Sequence, residues 1–344
     1  MSQMASMITK CLAVVFWAHI ASGSNVSVRV LLKPDRCYHT PLLNAALGQG
    51  GQGTVNLAYP STEKQMKVAL KKVKIGSPFS KAEIEFLQEL SQAGSYRGVP
   101  RLFDVFKSDD SMFIVEQYFK GQQFHTIHGD LLFYRMSAQV WENRVMRLLY
   151  KITTIISQIH QSGYVHLDIK PDNILYDVED NVIIIDFGSC LKIDTDNKRS
   201  VEFHAPSVSS FMTTEPFVAP ELKARNVGYP NDIYSLGRTA ANVLGNFPPE
   251  KFPRLSQFIT MAQTLEPSER PTAEDILGHD LFHKERAEYG ISSKHELPLF
   301  EQVINLSGSN AKYFKQFPLP QCDPGSSSSR KFSLPGFRRC FSQP

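Results

Sequence analysis

The chain has 344 residues, 42% hydrophobic and 21% charged, with a formal net charge of +3. This is globular composition, which excludes a fibrous or disordered chain, and the length suits one large domain or two lobes. The charge is too small to argue for nucleic acid, no run reaches the ~18 apolar residues of a membrane span, and the five cysteines show no C-x-x-C pairing.

After Lys10 comes an apolar run, Cys11 to Trp17, then His19 and the small residues Ala21, Ser22, Gly23 and Ser24. A lone positive charge, a short apolar centre and small residues after it fit a secretory signal peptide over residues 1–24. A disordered or peripheral N-terminal helix is the competing reading, since His19 weakens the apolar centre. With a signal the chain is expected in the secretory pathway or outside the cell; without one, in the cytoplasm. Asn25-Val26-Ser27 and Asn305-Leu306-Ser307 would then be glycosylation sequons. Loss of Cys11 would leave four cysteines, which allow three pairings; free thiols are the alternative.

Val26, Val28 and Val30 alternate as a strand, and a proline-interrupted linker is expected to follow up to residue 45. Gly48, Gly50 and Gly53 then form GxGxxG. No helix opens after them; Thr54 to Tyr59 alternates like a strand, which argues against a dinucleotide-binding turn. Val68-Ala69-Leu70-Lys71 forms a further strand ending in a lysine. Alternation turns Lys72 to the opposite, solvated side. Ser80 to Leu90 reads as a helix with Ile84, Leu87 and Leu90 on one stripe, and it offers Glu83, Glu85 and Glu89. Strands are expected over Val99 to Phe106 and Met112 to Val115, leading into Glu116-Gln117-Tyr118-Phe119. Residues 138–162 form a long amphipathic helix whose stripe, from Val145 to Ile159, is core; Gly163 ends it.

His166 to Gly188 carries the densest chemistry. A tight loop leads to a short strand at Ile174 and Leu175, a polar turn at Glu179 to Asn181, a second apolar run from Val182 to Ile185, and Asp186-Phe187-Gly188. Two such runs with a turn between them make a hairpin, which brings the loop ending in Asn173 close to Asp186. Asp168, Asn173 and Asp186 can then converge with Lys170. Carboxylate and amide oxygens suit Mg²⁺ held together with substrate phosphates. A separate carboxylate beside a lysine suits a hydroxyl acceptor and a migrating phosphoryl group.

This stretch resembles the catalytic loop and D-F-G segment of protein kinases, and the other motifs follow in that family's order over about residues 45 to 283. The resemblance implies an α+β, two-lobed fold: a small β-rich N-lobe over about 25–118, a larger mainly helical C-lobe over about 119–283, and an extension over 284–344. It implies ATP and Mg²⁺, with Gly48, Gly50, Gly53 and Val55 covering the nucleotide. Lys71 would place the phosphates, fixed by Glu83, which best matches the family's E-x-x-x-L pattern; Glu85 and Glu89 are expected to be solvated. The backbones of Gln117 and Phe119 would meet the adenine, with Glu116 bordering the back pocket. Asp168 would receive the acceptor hydroxyl, Lys170 would steady the γ-phosphate, and Asn173 and Asp186 would hold the metal. Thr214 falls where the family keeps a threonine on the catalytic aspartate and lysine. Ala219-Pro220-Glu221 ends the substrate-positioning loop, and Arg270 is expected to pair with Glu221. Asp232 to Gly237 would be the buried helix anchoring the C-lobe.

Three positions depart from the family. Gln52 replaces the aromatic that often tips the glycine flap, which implies a weaker or more mobile lid. Glu116 is a charged residue at an unusual place and needs a partner or water. Leu167 replaces the arginine that usually receives an activation-segment phosphate, so phosphorylation there should not be obligatory. His128-Gly129-Asp130 is similar to the H-G-D loop of small-molecule kinases, but Arg135 stands where that loop needs asparagine and no hairpin follows. His166 is read as a packing residue, and Cys190 as a buried thiol.

The expected activity is therefore transfer of phosphate from ATP to protein serine or threonine. A catalytically weak pseudokinase scaffold is the alternative, and a small-molecule kinase is disfavoured by the Ala-Pro-Glu segment. Gly325 to Lys331 reads as a flexible linker. Beyond it, Arg330, Lys331, Arg338 and Arg339 interleave with Phe332, Phe337 and Phe341, either as a solvated tail or as a docking segment for a membrane or partner.

Overall fold

The structure, a computed structural model, describes residues 28–32, 37–41, 46–50, 53–60, 66–93, 97–108, 110–133, 136–193, 201–202, 214–223 and 226–289. The signal-peptide reading, both sequons, Gln52, Arg135 and the basic-aromatic tail lie outside the described residues.

The chain divides into two compact units: one holds Phe103–Tyr118 and the residues up to Ile75; the other holds Gly76–Leu102 and the described residues from Phe119 onward. The first unit is built on β1 (Val28–Leu32), β2 (Cys37–Pro41), β3 (Ala46–Gly50), β4 (Gly53–Pro60) and β5 (Val68–Lys74). Two further strands, β6 (Leu102–Ser108) and β7 (Ser111–Gln117), complete a sheet in the order β1-β2-β4-β5-β7-β6, with β3 also on β4. Its core gathers Tyr38, Ala58, Val68, Leu70, Phe106, Phe113 and Val115.

Three expectations change here, the first being that the strand expected over Val99 to Phe106 spans Leu102–Ser108. The proline-interrupted linker contains a strand, β2, which pairs with β1 and with the end of β4. Tyr38 explains it: the ring is fully buried and stacks on Phe106 at 5.4 Å, and its hydroxyl donates to Asp104 at 2.9 Å. Those partners are more than sixty positions away, so no local pattern announces them. The strand expected over Met112 to Val115 runs on through Glu116 and Gln117, because β5 continues to pair as far as Val68 opposite Gln117.

The second unit includes helix α1 (Pro78–Ala93), within the segment read as N-lobe. Phe86, Leu87 and Leu90 of α1 join the large core of this unit, which is why it groups there. Proline is tolerated in the first turn, where its missing N–H would have had no partner, so α1 starts two residues before the expected Ser80.

Along the chain this unit continues with β8 (Gln122–Gln123), α2 (Ile127–Phe133), α3 (Ala138–Gln161) and β9 (Tyr164–Val165). A hairpin of β10 (Ile174–Tyr176) and β11 (Val182–Ile184) comes next, then β12 (Leu191–Lys192) and β13 (Val201–Glu202). The described residues end with α4 (Pro220–Lys223), β14 (Asn226–Val227), α5 (Tyr229–Leu244), α6 (Pro253–Ala262), α7 (Ala273–Gly278) and α8 (His283–Tyr289).

The axis of this unit is α3. Ser137 caps it by accepting from Val140 N, and Gly163 turns the chain away at φ +80°. Its apolar stripe from Val145 to Ile159 is buried as expected. Glu142, also buried, accepts from the Arg254 and Leu255 amides at 2.9 and 3.1 Å and so satisfies the start of α6. On the solvent side, Arg144 donates to Asp180 Oδ1 at 2.8 Å and Lys151 to the Asp180 carbonyl at 2.7 Å. These bonds pin the β10–β11 turn to α3, and that fixes where the hairpin presents Asn173 and Asp186. Among the described residues no helix is long and apolar enough to cross a membrane.

Candidate active site

The catalytic loop is suspended between two fixed points. At its start, β9 pairs with β12, Tyr164 opposite Lys192 and Val165 opposite Leu191. At its end, the Ile185 amide donates to the Asn173 carbonyl at 2.9 Å, which ties β11 to the loop. Between them the backbone makes a sharp turn at Leu167, with φ +66°. A left-handed leucine costs ~1–2 kcal/mol, so something must hold it there. Asp232 does. Its fully buried carboxylate accepts from His166 N and Leu167 N, both at 2.8 Å, and lies 3.0 Å from His160 Nε2.

The turn delivers Asp168 into a shared hydrogen-bond network. Lys170 Nζ donates to Asp168 Oδ2 at 2.7 Å and to Thr214 Oγ1 at 2.7 Å, and Thr214 Oγ1 donates to Asp168 Oδ1 at 3.1 Å. Asn173 Nδ2 bonds both the Asp168 carbonyl and Oδ2 at 2.9 Å. Burial pushes the Asp168 carboxyl above the ordinary aspartate range, against the lowering pull of Lys170 and His166, while Asp186 adds to the rise. The result is a held carboxylate with more affinity for a proton than an exposed one.

His166 is fully buried. Its Nδ1 accepts from Asp168 N at 3.3 Å, so Nε2 is the protonated nitrogen and donates to the Ile185 carbonyl at 3.3 Å. The residue packs against Phe187 and braces the loop.

With both Asn173 amide bonds spent on Asp168, Oδ1 is the atom oriented to coordinate. Asp186 stands at the junction of β11 and the Phe187–Ser189 turn, at φ +63°. Amide and carboxylate oxygens fit Mg²⁺, which takes its remaining ligands from phosphates and water. Among the described residues no cluster of three His, Cys, Asp or Glu side chains forms a self-contained metal centre.

Behind the loop, Glu83 is 1% exposed and its Oε1 accepts from Phe187 N at 3.3 Å. Phe86, one helical turn along α1, stacks on Phe187 with ring centroids 4.3 Å apart. Cys190 is buried, its Sγ 3.6 Å from the Ala82 carbonyl; burial pushes the thiol well up, so it is a packed thiol.

Leu167 sits with Val165, Ile193, Ala219, Leu222 and Val227 in a small core of its own. Arginine at 167 would put a guanidinium among these apolar side chains, at a cost of several kcal/mol unless it is paired. Leu167→Arg should therefore lower the melting temperature; unchanged thermal unfolding would show that this pocket admits the cation.

The far end of the segment is stapled as expected. Arg270 Nη1 and Nη2 bind the two Glu221 oxygens at 2.6 and 3.3 Å, and Arg270 also bonds the Pro230 carbonyl and covers the Tyr234 ring. The H-G-D tripeptide has structural partners: His128 bonds the Val243 carbonyl and stacks on Phe247, and Asp130 pairs with Arg144.

The first unit presents its own set. Gly50 faces Gly53 across the β3–β4 turn, and Val55, Lys71 and Ile114 stand opposite one another, hence on one face of the sheet. Lys71 is 6% exposed while Lys72 is exposed, as alternation requires. A Cβ on Gly53 would lie 2.0 Å from the Lys72 carbonyl oxygen, so packing alone demands glycine there. At Gly48 and Gly50 a Cβ would meet nothing within 4 Å. Gln117 closes β7, Glu116 beside it is buried, and Phe119 is buried in the second unit.

Two site features escaped the sequence. Asp232 reads there only as part of a buried helix; the clue was an acid set beside the apolar stripe of Ile233 and Leu236. Glu89 is exposed as expected, but it also accepts from Tyr164 and Lys192, because β9 and β12 bring both to its end of α1.

The protein kinase domain family matches residues 43–254, more than half of the chain, and the chain belongs to that family. The family's reaction uses ATP and Mg²⁺. Serine/threonine-protein kinase B of Synechocystis is 29% identical over 172 residues, 49% of this chain and 29% of that protein. Maternal embryonic leucine zipper kinase of Xenopus tropicalis is 31% identical over 204 residues, 57% of this chain and 28% of that protein. Serine/threonine-protein kinase D of Synechocystis is 26% identical over 218 residues, 60% of this chain and 41% of that protein. The aligned region thus spans well under half the length of these curated relatives.

Proposed function

We propose that this chain transfers the γ-phosphoryl group of ATP to serine or threonine in protein substrates, without obligatory phosphorylation of its own activation segment. The observation that carries the reading is the Asp168–Lys170–Thr214–Asn173 network, in which Lys170, Thr214 and Asn173 all donate to or through the Asp168 carboxylate. Asp168 receives the acceptor hydroxyl and its proton as the oxygen attacks the γ-phosphorus, whose bond to the β–γ bridging oxygen breaks to release ADP. Lys170 offsets charge on the phosphoryl oxygens in flight. Lys71 grips the α- and β-phosphates, and the open space at Gly48 and Gly50 lets the backbone of the flap come close over them. Asn173 and Asp186 hold Mg²⁺, which when bound neutralises phosphate charge. The backbones of Gln117 and Phe119 orient the base. Independence from activation-segment phosphorylation rests on Leu167, an apolar core residue where a phosphate receptor would need a cation.

The test is labelled ATP with a generic protein substrate, full chain against Asp186→Ala, with the wild type assayed before and after phosphatase treatment. Label on serine or threonine, undiminished by phosphatase and abolished in Asp186→Ala, is expected. Binding of Mg-ATP without transfer would instead favour a scaffold, and loss of activity after phosphatase would end the claim of independence.

A further inference from the structure

The three side chains Glu89, Lys192 and Tyr164 do nothing in the mechanism above, yet they meet at one point. Tyr164 OH donates to Glu89 Oε2 at 2.6 Å, and Lys192 Nζ donates to both carboxylate oxygens at 2.7 and 2.8 Å. The lysine also lies over the Tyr164 ring, 5.4 Å from its centroid, and the two residues are register partners in the β9–β12 ladder. Three elements are tied at once: the helix carrying Glu83, the strand entering the catalytic loop, and the strand leaving the Asp-Phe-Gly turn.

We infer that Glu89 is a positioning residue whose bonds to Tyr164 and Lys192 latch α1 in the arrangement that presents Glu83. The inference rests on the phosphotransfer reading for its kinetic consequence, but not for its structural one. Inside the latch, Phe86 stacks on Phe187 and meets Tyr164 edge-on at 5.0 Å, which locates α1 laterally. Apolar stacking of this kind does not fix rotation about the helix axis. Glu89, six residues beyond Glu83 and at the outer edge, supplies a directional constraint with the leverage to do so. Lys192 holds the Glu89 carboxyl below the ordinary range by its hydrogen bond, with Tyr164 adding to it, so the carboxylate is charged at neutral pH. The pair is half exposed, 59% for Lys192 and 48% for Glu89, so it is open to salt and to competing ligands. With Leu167 lacking a charge, this latch gives the start of the activation segment an ionic tie to α1 that needs no phosphate.

A shifted α1 lowers the fraction of molecules competent to bind nucleotide, and bound nucleotide restores that fraction. Glu89→Ala should therefore raise KM for Mg-ATP about tenfold with kcat within about twofold of wild type, the pattern of a population shift. Tyr164→Phe should give a smaller rise in the same direction. The double exchange Glu89→Lys with Lys192→Glu should bring KM back toward wild type, which a merely structural loss would not do. Lys81→Met, which breaks the exposed Lys81–Glu85 pair on the same helix, should leave both constants unchanged. In parallel, amide hydrogen exchange of residues 83–90 in the full chain without nucleotide should quicken in Glu89→Ala and recover in the exchange variant. Unchanged KM and exchange in Glu89→Ala, or a double variant no better than the single, overturns the latch. If the wild type shows no transfer, the phosphotransfer reading falls and the exchange data alone decide whether the latch exists.

Discussion

Asp168→Asn should lower kcat by roughly 10²–10⁴-fold, the range for one positioned proton-accepting group, while the melting temperature stays close to wild type. Asparagine keeps an oxygen for Lys170 or Thr214 and removes a carboxylate that burial disfavours, so the loss is chemical. The pH dependence gives the sharper version. The reactive form is the carboxylate, and its proton affinity is raised by burial. Activity is then complete above the raised pKa and lost as pH falls through it, so the acid limb of kcat/KM should lie above the range of an exposed aspartate. Lys170 pulls in the opposite direction, so in Lys170→Met the limb should move further up in pH as overall activity falls. A limb at the position of a free aspartate, or one that does not move in Lys170→Met, would assign the proton to another group.

Asp232→Ala carries the largest expected effect on stability. It strips the partners from the His166 and Leu167 amides in a fully buried site, and each unsatisfied group costs about 1–3 kcal/mol. It also frees Leu167 to leave its left-handed backbone, which offsets part of that loss and displaces the turn. For a protein of this size, each lost kcal/mol lowers the melting temperature by roughly 2–4 °C, so a fall on the order of 10 °C is expected. Residual enzyme should show kcat reduced more than KM, because the displaced turn is the one that aims Asp168. Calorimetry paired with steady-state kinetics measures both. A variant that melts like wild type would mean the loop holds its turn without Asp232.

Both predictions turn on the same division of labour. The residues to which the proposed reaction assigns the chemistry lie in short, contiguous strings: Asp168, Lys170 and Asn173 within one loop, Asp186 after one hairpin, the glycines in one turn. The apolar-polar-apolar pattern from Ile174 to Ile185 specifies the hairpin, and the hairpin brings Asn173 and Asp186 into one place. Period and turn chemistry act over a few residues, so the fold class, α3 and the loop-and-hairpin arrangement that carries the candidate site residues were legible without coordinates.

What needed the tertiary structure is whatever depends on a distant partner. Strand β2 forms because Tyr38 finds Phe106 and Asp104; read locally, its prolines argue for a linker. Glu89 is an ordinary helix-surface acid until β9 and β12 deliver Tyr164 and Lys192 to it. Asp232 is an acid on a buried helix until the catalytic loop folds back onto it with two free amides. In each case a polar group draws its energy from desolvated hydrogen bonds to residues far along the chain. The sequence by itself determined which groups are candidates for the chemistry. Long-range packing decided how they are held.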